Sequence, residues 1–172
     1  TQERLVQRFT ERLEPGGWTA EVTQLELPAA TESSGVQMHL NGGETMTGAR
    51  EMHWHKEGEW AYMLAGTARI TAMDPAGGSF VDDVQAGDLW FFPAGFPHSI
   101  QADRDGCEFL LAFDDGAFSE NGTLLLSDFL RHMPPEVVAK NFGQPEEAFT
   151  GLPDEDLYIF WAPPPVPLEQ AR

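Results

Sequence analysis

His53-Trp54-His55-Lys56-Glu57-Gly58-Glu59 is the stretch that decides how this chain is read. Side chains alternate across a β-strand, so His53 and His55 leave the same face. Glu59, four residues on, can swing round to the same point. Two imidazoles and one carboxylate make a facial ligand set for a divalent metal such as Mn, Fe or Zn. A fourth candidate, His98, stands in a second ordered stretch that begins at Gly87. Trp54 lies between two inward ligands, so it is expected to point outward and to pack at a sheet or subunit contact.

Outward from this stretch the chain reads as many short strands. Thr19–Leu25 and Val36–Leu40 alternate, and Trp60–Gly66 and Thr67–Met73 read as two strands around a short turn. Ser79–Val84, Leu89–Phe92, His98–Gln101 and Cys107–Phe113 follow, each bounded by Gly, Pro or Asp. Regular short strands without a helical period indicate an antiparallel sandwich or barrel, not βαβ units. Asp82 and Asp83 read as turn-shaping residues, and His39 as a half-exposed strand residue. Upstream, Arg4–Leu13 is expected to be helical and to end at Pro15-Gly16-Gly17. Downstream, Asp114–Gly122 reads as a surface loop and Thr123–His132 and Pro134–Asn141 as short helices. Pro134-Pro135-Glu136 opens the second helix well, because proline is tolerated in a first turn. Tyr158–Phe160 reads as a strand. The prolines at 163, 164, 165 and 167 read as an extended linker, which invites a following segment. The expected division is an arm over 1–17, a barrel with helical flank over 18–162, and a Pro-rich tail over 163–172.

The balance of charge excludes some partners. Ten Lys+Arg against 28 Asp+Glu give a net charge of −18. Nucleic acid needs a basic surface, so it is not an expected partner, and neither is an anionic membrane. No apolar run approaches the ~20 residues of a membrane span. The lone cysteine, Cys107, can form no intrachain disulfide and reads as a small buried residue. The chain opens at Thr1 with no visible leader. A soluble protein is expected, with secreted and cytoplasmic locations both open.

The two ordered stretches, His53-x-His55-x3-Glu59-x6-Gly66 and Gly87-x5-Pro93-x-Gly95-x2-His98, resemble both sequence motifs of the cupin superfamily at every metal-ligand position. The likeness extends through Arg50-Glu51-Met52, Glu59-Trp60-Ala61-Tyr62, Phe80-x-Asp82-Asp83-Val84, Gly87–Pro93 and Pro97–Gln101. It continues through Phe113-Asp114-Asp115-Gly116 and Ser119-Glu120-Asn121. In these stretches the chain resembles the N-terminal half of the bicupin oxalate decarboxylases. This chain holds one cupin, so it corresponds to half of such an enzyme or to a single-domain relative.

The resemblance implies a mainly β fold: one double-stranded β-helix, or jelly-roll barrel, with an N-terminal arm and short C-terminal helices. It implies Mn held by His53, His55, Glu59 and His98, a site that also accepts Fe, Co or Ni, and dioxygen as a cofactor that is not consumed. Arg50 is expected to bind and polarise oxalate, since a guanidinium pairs a carboxylate through two hydrogen bonds. Ser119-Glu120-Asn121 is expected to be a mobile lid, with Glu120 handling the proton that turns the residue left after CO2 loss into formate. Read alone, Glu120 in a polar loop is a solvated side chain, and Arg50 a strand-edge cation. The chain departs from the family's pattern at the longer loop Asn41–Ala49. It departs again at Gly122, where Ser or Thr is usual. The glycine is expected to loosen the lid and leak toward oxidase chemistry. The rival activities are an oxalate oxidase giving CO2 and peroxide, another dioxygenase or isomerase, and a non-catalytic metal-binding cupin. Assembly into a trimer or hexamer is expected.

A dianionic substrate and a protein of charge −18 repel each other. Acid makes oxalate a monoanion and discharges surface carboxylates, so activity is expected to peak on the acid side. A rate on oxalate that climbs steadily above neutrality would contradict this.

Overall fold

The computed structural model describes residues 10–171. Ten strands run in chain order: β1 Thr10–Glu14, β2 Gly17–Val22, β3 Ser34–Leu40, β4 Thr47–Trp54, β5 Glu59–Met73, β6 Ser79–Gln85, β7 Leu89–Phe92, β8 His98–Phe113, β9 Leu124–Leu125 and β10 Ile159–Ala162. They join one curled antiparallel sheet ordered β1-β2-β3-β8-β4-β10, with β5 pairing β6, β7 and β8, and β9 pairing β4. The helices are short: α1 Leu126–His132, α2 Pro135–Phe142 and α3 Leu168–Ala171. Among the described residues no helix is long and apolar enough to cross a membrane.

The sheet curls because alternating residues bury one face. In β3 the inward set is Ser34, Val36, Met38 and Leu40, and in the first half of β5 it is Glu59, Ala61 and Met63. Phe109, Leu111, Phe113, Ile100 and Ile159 close the core around them. Cys107 lies in that core, and burial pushes its thiol up to about 12, so it is an inert packing residue.

Four sequence expectations are corrected. Trp60–Gly66 and Thr67–Met73 are one strand, β5, and His98–Gln101 and Cys107–Phe113 are one strand, β8. No turn divides either; each bends at a left-handed glycine, Gly66 at φ 77° and Gly106 at φ 72°. The inward set switches parity at each bend. In β5 it passes from Glu59, Ala61 and Met63 to Ala68 and Ile70, and in β8 from Ile100 and Ala102 to Cys107 and Phe109. The register slips by one residue between Met63 and Ala65 of β5, and by three where Ala102 and Cys107 of β8 face Ala68 and Gly66; each shift breaks the period-2 pattern that marks a continuous strand.

Second, Thr10–Leu13 is strand rather than helix, because Thr10 to Glu14 pair with Gly17 to Glu21 across a tight turn; residues 4–9 lie outside the described part. Third, Asp82 and Asp83 sit inside β6, where Asp83 takes two hydrogen bonds from Arg69 at 2.6 and 3.0 Å. Fourth, Asp114–Gly122 is not wholly surface: Phe118 and Glu120 are buried. The prolines of the tail lie along the barrel, where Pro163 and Val166 carbonyls accept from Gln101 and Arg69.

The two bends meet. A Cβ on Gly66 would stand 1.9 Å from the Gly106 carbonyl oxygen, on a backbone that L-residues avoid. Strain and overpacking together predict that Gly66→Ala destabilises the protein by roughly 3 kcal/mol. Chemical denaturation checks this, and an unchanged midpoint would refute the close packing of the bends.

Candidate metal centre

Strand β4 delivers His53 and ends just before His55, β5 opens with Glu59, and β8 opens with His98. Their ligand atoms lie within 4.8 Å of one another, and all four residues are buried. His55 Nε2 stands 3.0 Å and His98 Nε2 3.5 Å from Glu59 Oε2. The His53 and His98 rings are 4.2 Å apart.

The backbone fixes which nitrogen each ring offers. His53 Nδ1 lies 2.6 Å from the Glu51 carbonyl, His55 Nδ1 2.9 Å from that of Glu57, and His98 Nδ1 2.8 Å from that of Phe96. A carbonyl only accepts, so each Nδ1 carries the hydrogen and each Nε2 is turned to the common centre. Glu59 Oε1 and His98 Nε2 are buried there with no hydrogen-bond partner among the described residues. Three imidazole nitrogens and a carboxylate aimed at one point, with Glu59 Oε1 and His98 Nε2 left unpaired, fit a divalent transition metal. Phe92 stacks on His98 at 4.1 Å, and Phe113, itself stacked on Phe118, meets His55 edge-on at 5.3 Å. These rings wall the site against water.

Arg50 reaches the same cavity for a reason in the strand. An offset of three would set it on the opposite face from His53. A bulge between the two residues, where Arg50 faces Ile100 and His53 faces His98, turns both inward. Arg50 is 2% exposed; its Nη1 donates to the Tyr158 carbonyl at 3.2 Å and its Nη2 to Glu120 Oε2 at 3.1 Å. Glu120 opens a one-turn 3-10 helix, Glu120–Gly122, capped by Ser119, whose hydroxyl accepts from the Asn121 amide. Ser119 and Asn121 face solvent while Glu120 is buried between them. Arg50, His53, His55, Glu59, Glu120 and Thr123 line one narrow pocket with the apolar side chains of Met38, Ile100, Leu111, Phe113 and Phe118. His98 is in the ligand cluster, and His132 is remote on an exposed helix end.

Trp54 is half-buried outside the cavity, edge-on to Phe129 at 6.4 Å. Sequence reasoning did not single out Thr123, Phe118 or Tyr158. Tyr158 is the one non-glycine residue with positive φ among those described, at 43°, and its ring lies 3.7 Å beneath the Arg12 guanidinium. No local pattern marks such a residue; its role comes from pairing across the chain.

Electrostatics separate the ligands. Burial, Arg50 and His98 push His53 well below the ordinary imidazole range, so it is neutral. Burial also disfavours charge on His55, but hydrogen bonds and charge from Glu59 and Glu57 outweigh it and raise His55. Burial raises Glu59, yet His55 and His98 outweigh it and hold the carboxyl at about 2.

The Cupin family model matches residues 10–148. The chain is 55% identical over 149 residues to oxalate decarboxylase OxdC of Bacillus subtilis, covering 87% of this chain and 38% of that protein. It is 41% identical over 145 residues to a probable oxalate decarboxylase of Arthroderma benhamiae, covering 84% and 35%. Among solved structures, a formate complex of Lactobacillus farciminis oxalate decarboxylase superposes with a TM-score of 0.91 at 51% identity, over 95% of this chain and 47% of that one. A Bacillus subtilis oxalate decarboxylase structure solved in work on its Mn(II) centres gives 0.90 at 51%, over 95% and 42%. The chain thus spans less than half the length of these relatives.

With a raised pKa, the His55 proton stabilises the metal-free fold below the ordinary imidazole range, and that contribution fades as pH rises through the raised value. A metal ion needs the nitrogen bare, so affinity runs the opposite way. Mn(II) affinity is expected to rise with pH by up to roughly tenfold per unit while His55 releases its proton. Competition titration with a chelator measures it; a pH-independent affinity would contradict this ligand set.

Proposed function

Because this chain belongs to the cupin family, we propose that it is the metal-dependent part of an oxalate decarboxylase, converting oxalate to formate and CO2. One observation carries the reading: a buried guanidinium and a buried carboxylate, 3.1 Å apart, line one pocket with His53, His55 and Glu59 of the ligand cluster. Those three residues and His98 hold the metal, which we take as Mn. Bound Mn, with dioxygen that is not consumed overall, supplies the one-electron chemistry that weakens the C–C bond of oxalate.

The protein's own groups do the rest. Arg50 has a planar fork of donors, one already fixed on the Tyr158 carbonyl, so its remaining edge is set to grip a substrate carboxylate. That edge now holds Glu120. Substrate entry therefore takes Arg50 from Glu120 and leaves the acid beside the reacting carbon. Loss of CO2 from the oxalate monoanion breaks the C–C bond, and a proton must arrive on the remaining carbon to give formate. Glu120 holds and moves that proton at its carboxyl oxygen. Phe113, Phe118 and Leu111 exclude water that would otherwise compete.

A second reading, oxidation to CO2 and peroxide, is favoured by Gly122. A Cβ there would meet nothing within 4 Å, so the glycine answers no packing need and leaves the lid backbone free. Assembly of several copies belongs to the proposal, supported by the exposed apolar strip of Trp60, Tyr62, Leu89 and Phe91.

Mn-loaded protein given oxalate in air is expected to make formate in excess over peroxide. Glu120→Ala is expected to lower formate production by about 10²-fold or more with metal content unchanged. No consumption of oxalate by the loaded protein, or formate untouched by the substitution, would sink the reading.

A further inference from the structure

Glu51 is a carboxylate 5% exposed, and no cation pairs with it among the described residues. Burying a charge without a counter-ion is costly, so its contacts are informative. Strand β4 has β8 on one edge. The other edge is covered by two short strands with a gap between them: β10 covers Thr47 to Arg50, and β9 covers His53 and Trp54. The uncovered residues, Glu51 and Met52, are the bulge that brings Arg50 and His53 to one cavity. Met52 points to solvent, and Glu51 turns in.

The Glu51 carboxylate bridges the gap. Oε1 accepts from the Ser127 amide at 2.6 Å, two residues beyond β9, and Oε2 from the Leu157 amide at 3.2 Å, two residues before β10. Its own amide donates to the Tyr158 carbonyl at 2.9 Å, the same oxygen that takes Arg50 Nη1. Its own carbonyl takes His53 Nδ1 at 2.6 Å. One residue therefore touches the holder of a metal ligand, the holder of the guanidinium, and the chain on which the Glu120 segment ends.

We propose that Glu51 is a positioning residue: its carboxylate pins the bulge and so couples the orientation of His53 to the anchors of Arg50 and of the lid. For Arg50 and the lid this rests on the reading given under Proposed function; for His53 it does not. A merely structural side chain would hold two loops together and nothing more. The coupling requires that loosening the two amide bonds disturb the metal site, because the Glu51 carbonyl moves with the bulge.

Glu51→Gln keeps the shape but offers a single acceptor to two amides. Titration of the full chain with Co(II), followed by visible absorption, reads the metal site without any reaction. Partners that orient a ligating histidine typically contribute 10- to 100-fold to metal affinity. The variant, folded by circular dichroism, is expected to bind Co(II) about tenfold more weakly, and, once loaded with Mn(II) under exclusion of dioxygen, to bind oxalate several-fold more weakly than the parent. If Glu51→Gln does not fold, Glu51→Asp, too short to span both amides, is expected to show the same losses. A folded variant of lowered melting temperature whose Co(II) affinity stays within twofold of the parent overturns the proposal. A parent that binds no oxalate refutes the proposed substrate, while a Co(II) loss in the variant still upholds the coupling to His53.

Discussion

Three backbone carbonyls, those of Glu51, Glu57 and Phe96, determine what the interior of this barrel can do. Each accepts from the Nδ1 of a histidine two residues away and leaves Nε2 facing its fellows. An imidazole in an apolar core would otherwise be free to choose its tautomer and its rotamer. Here both are settled by local backbone geometry, before any ion is bound. Glu59, held ionised by its neighbours despite full burial, supplies the negative charge that makes the cluster a ligand set rather than a stack of aromatic rings.

Irregularity in the strands does the remaining placement. Ideal strands would put Arg50 and His53 on opposite faces; the bulge in β4 unites them. Bends at Gly66 and Gly106 let β5 and β8 serve two sets of neighbours, which closes the sheet around the core. Arg50 then lies buried between the Tyr158 carbonyl and Glu120. A buried ion pair is weak evidence for stability and better evidence for a switchable contact. A small carboxylate ligand offers Arg50 the same partner chemistry as Glu120, and a Glu120 so displaced needs a proton or solvent in place of the guanidinium.

The convergence of His53, His55 and Glu59 was legible because a His-x-His pair and a carboxylate four residues on need nothing beyond strand alternation and a short turn. The barrel was legible from the density of short strands. The continuity of β5 and β8 was not, because a bulge flips the inward parity and imitates a turn. Thr10–Leu13 was misread because its polar composition carries no period, and only pairing with Trp18 to Glu21 makes it a strand. The burial of Glu120 could not be read from a polar loop, since the guanidinium that receives it comes from 70 residues away. No local pattern marks Glu51 in an acidic chain, since the amides of Ser127 and Leu157 that hold its two oxygens come from distant segments.

The central claim is that the three Nε2 atoms and Glu59 converge on one metal ion. Pulsed electron paramagnetic resonance of the Mn(II)-loaded full chain, with histidine labelled by 15N, reads the nitrogen ligands directly. The account predicts couplings from imidazole nitrogens of His53, His55 and His98, with one set lost on removing any one of the three. A Mn(II) ion surrounded by oxygen ligands alone would contradict it.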